Sequence, residues 1–410
     1  IYGCEAALEY ALSEKGEFSK ALFDYLLTKP DYAERLSCAK EPMSAEKCRL
    51  SRENAEELFS GSINTSYSRL ENYIKCRFQY FCRYELDLSD DGTAGFSDMN
   101  IGSFLHATLE AAAKLATKDD FSEEETAEAI RSAAEKYIRK ITGRAMSDLS
   151  PRLRHMTDYL CGRAMVFAKR IRDEFSVSKF RPVSFELSVG GADGVEAIKI
   201  ENEQSIVKLF GRIDRVDAYD SGDGKLYLRV VDYKKNAKKF DLEKISAGLD
   251  MQMLLYLFSL WENGEKYFGK EIVPAGVIYV ETNPRAEAVS ADGEGDGKFA
   301  VSGVVTEMGD DGLDLARAME PELKGVYSPI KGSSAGKAKN IIGLDALREL
   351  KQNVVQTVLG CAAELKKGLA YAAPTDADGT DPCKYCRMKA ICRVTKKKGS
   401  EDDENSGEYT

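Results

Sequence analysis

Two runs that alternate between apolar and polar residues, Ile206–Val216 and Lys225–Lys234, are separated by Asp220-Ser-Gly-Asp-Gly224. Alternation with period two buries one face of a strand. A cluster of Asp, Ser and Gly is what a tight reversal needs, so the runs read as neighbouring antiparallel strands. This pairing constrains the 410-residue chain more than any other feature, because it dictates where chemistry-bearing charges fall. Gly211-Arg-Ile-Asp214-Arg-Val-Asp217 lies on the first strand, and Val231-Asp232-Tyr-Lys234 ends the second. The reversal brings Asp214 near Asp232, and residues two apart share a face, so Asp232 and Lys234 point together. Two carboxylates and an ammonium converging at a strand end suit a hard divalent cation. The lysine is left to steer water or to offset charge developing on a phosphate. An isolated D-x-K is also the trace of a surface ion pair, so other segments must decide.

Upstream of the strands the period is helical. Asn64-Thr-Ser66 reads as a cap, followed by Tyr67, Leu70, Tyr73 and Ile74 at helical spacing, then by helices over Gly102–Ala116, Thr126–Ile141 and Leu153–Phe175. Val183–Val189 alternates, Asp250–Trp261 returns to helical period, Ala275–Val280 is a further apolar strand, and Leu344–Lys367 is a last long helix. The order predicts an α/β fold, a mixed central sheet flanked by helices. Residues 1–60 read as short helices, such as Glu5–Ser13 and Phe18–Leu27, left over from a preceding region; 61–398 form the main domain and 399–410 an acidic disordered tail. The chain opens on Ile1 rather than Met, as expected for a piece of a longer protein. With 43% hydrophobic and 31% charged residues, global disorder is excluded, and no apolar run reaches the length of a membrane span.

Ten cysteines are spread too thinly for a secreted disulfide framework, which points to reduced thiols and a cytoplasmic location. Cys4, Cys38, Cys48, Cys161 and Cys361 have no companions at ligand spacing. Cys383-Lys-Tyr-Cys386-x5-Cys392 offers three thiolates, and Cys76 or Cys82 can complete the set from far upstream. Four thiolates suit zinc or an iron–sulfur cluster, and spacing alone does not choose. His106 sits in a helix where an imidazole can join a metal site, and Gln252 and Tyr256 share a helix face. His155, beside two arginines, reads as an exposed helix residue. Gly332-Ser-Ser-Ala-Gly336-Lys337-Ala338 imitates a phosphate-binding loop but is one residue short and ends in Ala, which excludes a nucleotide engine there.

The net charge of −10 argues against nucleic acid only until its distribution is read. The tail concentrates Glu401, Asp402, Asp403, Glu404 and Glu408, whereas Lys384, Arg387, Lys389, Arg393, Lys396, Lys397 and Lys398 form a run without acids. Phosphate binding follows local potential, so this run is a candidate DNA contact.

Six segments in one order resemble the C-terminal nuclease domain of the AddB (RexB) family, one of the two subunits of the ATP-dependent helicase–deoxyribonuclease. They are Ser66-Tyr-Ser-Arg-Leu-Glu-Asn-Tyr-Ile-Lys-Cys76-Arg-Phe-Gln-Tyr-Phe81, the glycine-to-His106 helix, GRIDRVD, VDYK, Q-x3-Y and C-x2-C-x5-C, spanning about Ile63 to Arg393. The resemblance implies a RecB-like, restriction-endonuclease-like PD-(D/E)XK fold whose termini are stapled by a [4Fe-4S] cluster. It implies Cys76, Cys383, Cys386 and Cys392 as cluster ligands and leaves Cys82 as a spare thiol. Asp214, Asp232 and Lys234 match the nuclease motif, His106 the extra ligand of the Mg2+ site, and Gln252 and Tyr256 the motif beside it. Arg77 departs from the family, which often has Pro after the first cysteine. The implied role is hydrolysis of one strand, the one ending 5′, at double-strand DNA ends, with an AddA helicase–nuclease partner. A stand-alone or CRISPR-associated RecB-like exonuclease shares these motifs but is usually shorter. A non-catalytic iron–sulfur DNA-binding scaffold is opposed by the intact Asp214, Asp232 and Lys234.

Overall fold

The computed structural model describes residues 48–88, 98–236, 238–282, 299–332, 340–375, 381–384 and 386–392, with shorter stretches before 48 (7–8, 10–12, 16–33, 36 and 45). Cys4, Cys38, Arg393, Lys396, Lys397, Lys398, the acidic tail and most of the glycine-lysine loop after Gly332 lie outside the described residues. The chain divides into two compact units. One comprises Phe59–Glu71 and Asp91–Lys366; the other comprises Ile1–Leu58, Asn72–Asp90 and Lys367–Thr410. No described helix is long and apolar enough to cross a membrane.

The larger unit is a mixed α/β fold built on an eight-stranded sheet: β1 (Ile63–Ser66), β2 (Arg181–Val189), β3 (Ile200–Glu201), β4 (Ile206–Asp220), β5 (Lys225–Lys234), β6 (Glu271–Glu281), β7 (Val301–Thr306) and β8 (Ile341–Ile342). Its path runs β1-β4-β5-β6-β7-β8, with β2 and β3 also pairing β4. The expected β4–β5 hairpin is present in antiparallel register, with Arg215 opposite Val231. Strand β5 then pairs in parallel with β6, Asp232 against Tyr279. Its helices of six residues or more are α1 (Tyr67–Lys75, which begins in this unit), α2 (Asp98–Ala116), α3 (Glu123–Thr142), α4 (Pro151–Val177), α5 (Gln252–Phe268), α6 (Asp314–Met319) and α7 (Leu344–Lys366). Helix α3 starts on Ser122, whose hydroxyl accepts from Glu125 N, and ends on left-handed Gly143; α4 starts on Ser150 with proline in its first turn.

Asn64 and Thr65, expected ahead of a helix as its cap, lie in strand β1, paired in parallel with β4. Only Ser66 keeps the capping role, its hydroxyl accepting from Arg69 N at 3.4 Å. Strand β7 has no counterpart in the alternation of the sequence. There Gly303, with φ 146°, lies so close to β6 that a Cβ would sit 1.9 Å from Val277 O. Gly276 on β6 meets Val304 O in the same way, so the two strands approach through a glycine on each side.

Helices α2, α3 and α4 cover one face of the sheet. Phe104, Leu109, Ile130, Ile138, Phe167 and Ile171 pack there with Tyr227, Val231, Tyr233, Ile278 and Val280. Within this apolar layer lies a charged network. Arg215 Nη2 donates to Glu174 Oε1 at 3.1 Å, and its Nε lies 2.9 Å from Asp217 Oδ1. Arg229 Nε donates to Asp217 Oδ2 at 2.8 Å, and its Nη2 also donates to Glu174. The rings of Phe175 and Phe180 flank the Arg215 and Arg229 guanidiniums at 5.1 and 4.9 Å. All four charged side chains are buried, so each depends on the others for the solvation it has lost.

Burial alone would raise the Glu174 carboxyl, but Arg215, Arg229 and Arg170 outweigh it and hold the pKa down at about 2. A depressed folded-state pKa contributes stability above the unfolded value that is lost as pH falls through the folded one. Thermal stability should therefore decline between about pH 4.5 and about pH 2, and Glu174→Gln should remove this dependence. Because the substitution strands buried guanidiniums, it should also cost roughly 3–5 kcal/mol at neutral pH, measured by denaturant unfolding.

Candidate metal centre and thiol site

Alternation along β4 and β5 separates two jobs within the same short motifs. Arg215 and Tyr233 turn into the helix-covered layer, where Arg215 Nη1 donates to Tyr233 Oη at 3.2 Å. Asp214 and Asp232 have the opposite parity. Their strands meet one step beyond the Arg215–Val231 pair, and Tyr233 N donates to Asp214 Oδ2 at 2.8 Å. The other Asp214 oxygen lies 3.3 Å from His106 Nδ1, brought in by α2.

Glu186 on β2 completes the cluster: ligand atoms of His106, Glu186 and Asp214 all lie within 4.8 Å of one another. The pairs Phe185–Arg215 and Leu187–Ile213 flank Glu186, which puts it opposite Asp214. Its backbone is left-handed, φ 50°, a costly conformation for a residue other than glycine. Sequence reasoning missed Glu186. Its only local signal is an acid between Phe185 and Leu187 in a strand whose other polar residues are Arg181, Ser184 and Ser188.

Asp232 is 5% exposed, with Lys234 Nζ 2.6 Å from its Oδ2. That ammonium is the partner of the buried oxygen in a close ion pair. Burial, reinforced by Asp214, raises the Asp232 carboxyl above its ordinary value against the opposing pull of Lys234. Glu186 is raised by burial first, then by Asp214 and Glu110. His106 is raised as well: burial works against it, but the hydrogen bond and charge of Asp214 prevail, with Asp232 and Glu186 adding to them. Lys234 loses to burial but gains more from Asp232, so its ammonium is held charged. Carboxyls that resist ionisation together, beside an imidazole, are the donor chemistry that fits a divalent cation.

Helix α5 closes the site. Gln252 Nε2 donates to Tyr256 Oη at 3.1 Å, and that oxygen also accepts from Arg212 N at 3.2 Å. This packing explains Gly211, since a Cβ there would lie 2.2 Å from Tyr256 Oη. The structure thus brings together His106, Asp214, Asp232, Lys234, Gln252 and Tyr256, and adds Glu186.

The smaller unit gathers the thiols. Cys76, Cys383, Cys386 and Cys392 line one cavity with Phe78, Pro374 and Pro382. Cys76 sits in extended backbone between α1 and a short helix, and Asp381 Oδ1 accepts from Cys383 N at 2.9 Å. Arg77 lies between the rings of Tyr73 and Tyr371, 5.5 and 5.2 Å from their centres, which gives this unusual arginine a packing role. Cys82 and Cys48 belong to the same apolar cluster as Cys76 and Cys392. Cys82 is fully buried, and its thiol is pushed up to about 11, by burial first and then by the neighbouring thiols. Lys384, Arg387 and Lys389 are exposed in this unit.

The sequence profile described as the PD-(D/E)XK nuclease superfamily matches residues 64–393. Among relatives, the B-type component of the ATP-dependent helicase/deoxyribonuclease of Acetivibrio thermocellus is 28% identical over 84% of this chain and 31% of its own length. The proteins of the same name from Clostridium perfringens and Oceanobacillus iheyensis are 28% and 26% identical, over 94% and 84% of this chain and 35% and 31% of theirs. The chain therefore spans about a third of the length of these relatives.

If Glu186 is a ligand, Glu186→Gln should weaken Mg2+ binding at least about tenfold in calorimetric titration while the melting transition stays within a few degrees of the parent.

Proposed function

The chain belongs to the PD-(D/E)XK nuclease superfamily, and from that premise we propose that it is the Mg2+-dependent DNA exonuclease domain of an AddAB-type helicase–nuclease. It would hydrolyse one strand, the strand ending 5′, during processing of double-strand breaks, beside an AddA helicase–nuclease partner and in the cytoplasm. The names of the relatives support the deoxyribonuclease activity and the existence of a partner chain. The observation that carries the reading is the convergence of His106, Glu186 and Asp214 beside the Asp232–Lys234 pair.

In this reading His106, Glu186, Asp214 and Asp232 hold the divalent cation. That cation supplies the Lewis-acid charge for phosphodiester hydrolysis. Lys234 stays protonated against Asp232 and offsets negative charge that develops on the phosphate. The Tyr233 amide keeps one Asp214 oxygen engaged and so fixes the direction of the other. Gln252 and Tyr256 hold the backbone at Arg212 and with it the level of β4 under the site.

We also infer that Cys76, Cys383, Cys386 and Cys392 hold a [4Fe-4S] cluster. Four thiols around one apolar-walled cavity fit such a group, which takes four cysteine ligands. The exposed Lys384, Arg387 and Lys389 then stand beside it as candidate contacts to single-stranded DNA, continued in sequence by Arg393, Lys396, Lys397 and Lys398.

Asp232→Ala should abolish Mg2+-dependent degradation of end-labelled DNA with the fold intact, and Lys234→Ala should do so while retaining Mg2+ binding; full activity in either variant contradicts the site assignment. Anaerobically purified chain should be brown and carry about four irons. Cys76→Ala should lose colour and iron together, whereas Cys82→Ser should keep both. Zinc in place of iron would refute the cluster.

A further inference from the structure

Strand β5 runs from its catalytic end directly into a second basic stretch, Lys234, Lys235, Lys238 and Lys239. Lys235 and Lys239 are exposed, but Lys238 is only 27% exposed, and its ammonium lies 2.8 Å from Asp250 Oδ1. The same ammonium stands 4.9 Å from the centre of the Tyr279 ring, and Tyr279 is the residue paired with Asp232 across β5 and β6. The Lys238 carbonyl accepts from the Ser302 hydroxyl, which ties the loop to β7. Lys238 thus has a fixed position one residue away, across the sheet, from a carboxylate of the metal site.

Its partner Asp250 has φ 57°, in the left-handed region that Asp and Asn enter more readily than most residues. It directly precedes Met251, whose N–H donates to Tyr67 Oη at 2.9 Å, and Gln252, which opens α5. The surroundings are acidic. The Tyr279 phenol is held well above its ordinary pKa by burial first, then by Asp232, Asp250 and Glu71. A lysine placed among these carboxylates must be neutralised by one of them when no substrate is present. The pair is largely buried, at 27% and 21% exposure, and stands where α5 begins. A phosphodiester oxygen offers the ammonium the same charge-assisted hydrogen bond that the Asp250 oxygen gives it.

Building on the nuclease reading, we propose that Lys238 binds a phosphate of the strand being cut, and that Asp250 occupies its ammonium until that phosphate displaces it. The DNA contacts inferred above lie in the other unit; this one lies on the catalytic strand itself. It separates two roles: Lys234 serves the reacting phosphate, and Lys238 positions a neighbouring one.

The test is equilibrium binding of a fluorescein-labelled single-stranded oligodeoxynucleotide to the full chain, without divalent cation so that the strand stays intact, across a salt series. Lys238→Met should weaken binding about tenfold and lower the slope of log K against log salt by about 0.7, the loss of one single-strand phosphate contact. Its Mg2+ titration should match the parent. Asp250→Asn, which suits left-handed backbone and removes the competing charge, should tighten binding several-fold. If the pair only fastens the start of α5, both variants should weaken binding alike, and that result overturns the proposal. An unchanged salt slope in Lys238→Met overturns it too while leaving the nuclease reading standing, provided the parent still degrades the strand with Mg2+. A parent chain that neither binds nor degrades the strand overturns both.

Discussion

A hydrogen bond from the amide of Tyr233 to a carboxylate oxygen of Asp214, 2.8 Å long, joins the two halves of the larger unit's chemistry. The phenol of the same tyrosine accepts from Arg215 in the buried charged layer, while the residues on either side of it, Asp232 and Lys234, face the metal centre. The position of Asp214 relative to Asp232 therefore rests on how β4 and β5 are locked from behind. Glu174, Arg215, Asp217 and Arg229 do that locking. Such a network adds little net stability over an apolar core, yet losing one member strands the others, so it tolerates very few alternative arrangements. A site that must hold carboxylates close together against their own repulsion needs a rigid backing of this kind.

Much of this was legible in the sequence, for a physical reason. Period-two alternation and a turn of Asp, Ser and Gly are local signals, and together they determine which side chains of GRIDRVD and VDYK can meet. Helices α2, α3, α4 and α5 were legible in the same way, with boundaries within a few residues except at the end of α5, which runs on to Phe268. Glu186 was not legible. Its relation to Asp214 exists only once β2 pairs with β4, and its left-handed backbone leaves no trace in residue type. Arg215, Asp217 and Arg229 escaped because charged residues alternating along a strand ordinarily mark a solvated face. Here that face lies beneath α4 and is neutralised by Glu174, a residue some forty positions away in the chain. Strand β7 was hidden by Gly303, which reads as a break and is in fact the point of closest approach to β6.

The two units divide the chemistry by ligand hardness. The larger one offers carboxylate oxygens and an imidazole on a sheet, with charged groups at raised pKa; the smaller one offers thiols in an apolar pocket. Donor type is one of the factors that sort hard and soft ions between such sites. Cys48 shows the limit of spacing rules. Nothing in its sequence context pairs it with another cysteine, yet it packs in the apolar cluster that holds Cys76, Cys82 and Cys392.

In the proposed reading Asp214, oriented by the Tyr233 amide, anchors a single divalent-cation site. The most direct test is Mn2+ binding followed by electron paramagnetic resonance, comparing the parent chain with Asp214→Asn at matched folding. One saturable Mn2+ site is expected in the parent, and its loss in Asp214→Asn, with the melting transition preserved. Equal Mn2+ occupancy in the two proteins would contradict it.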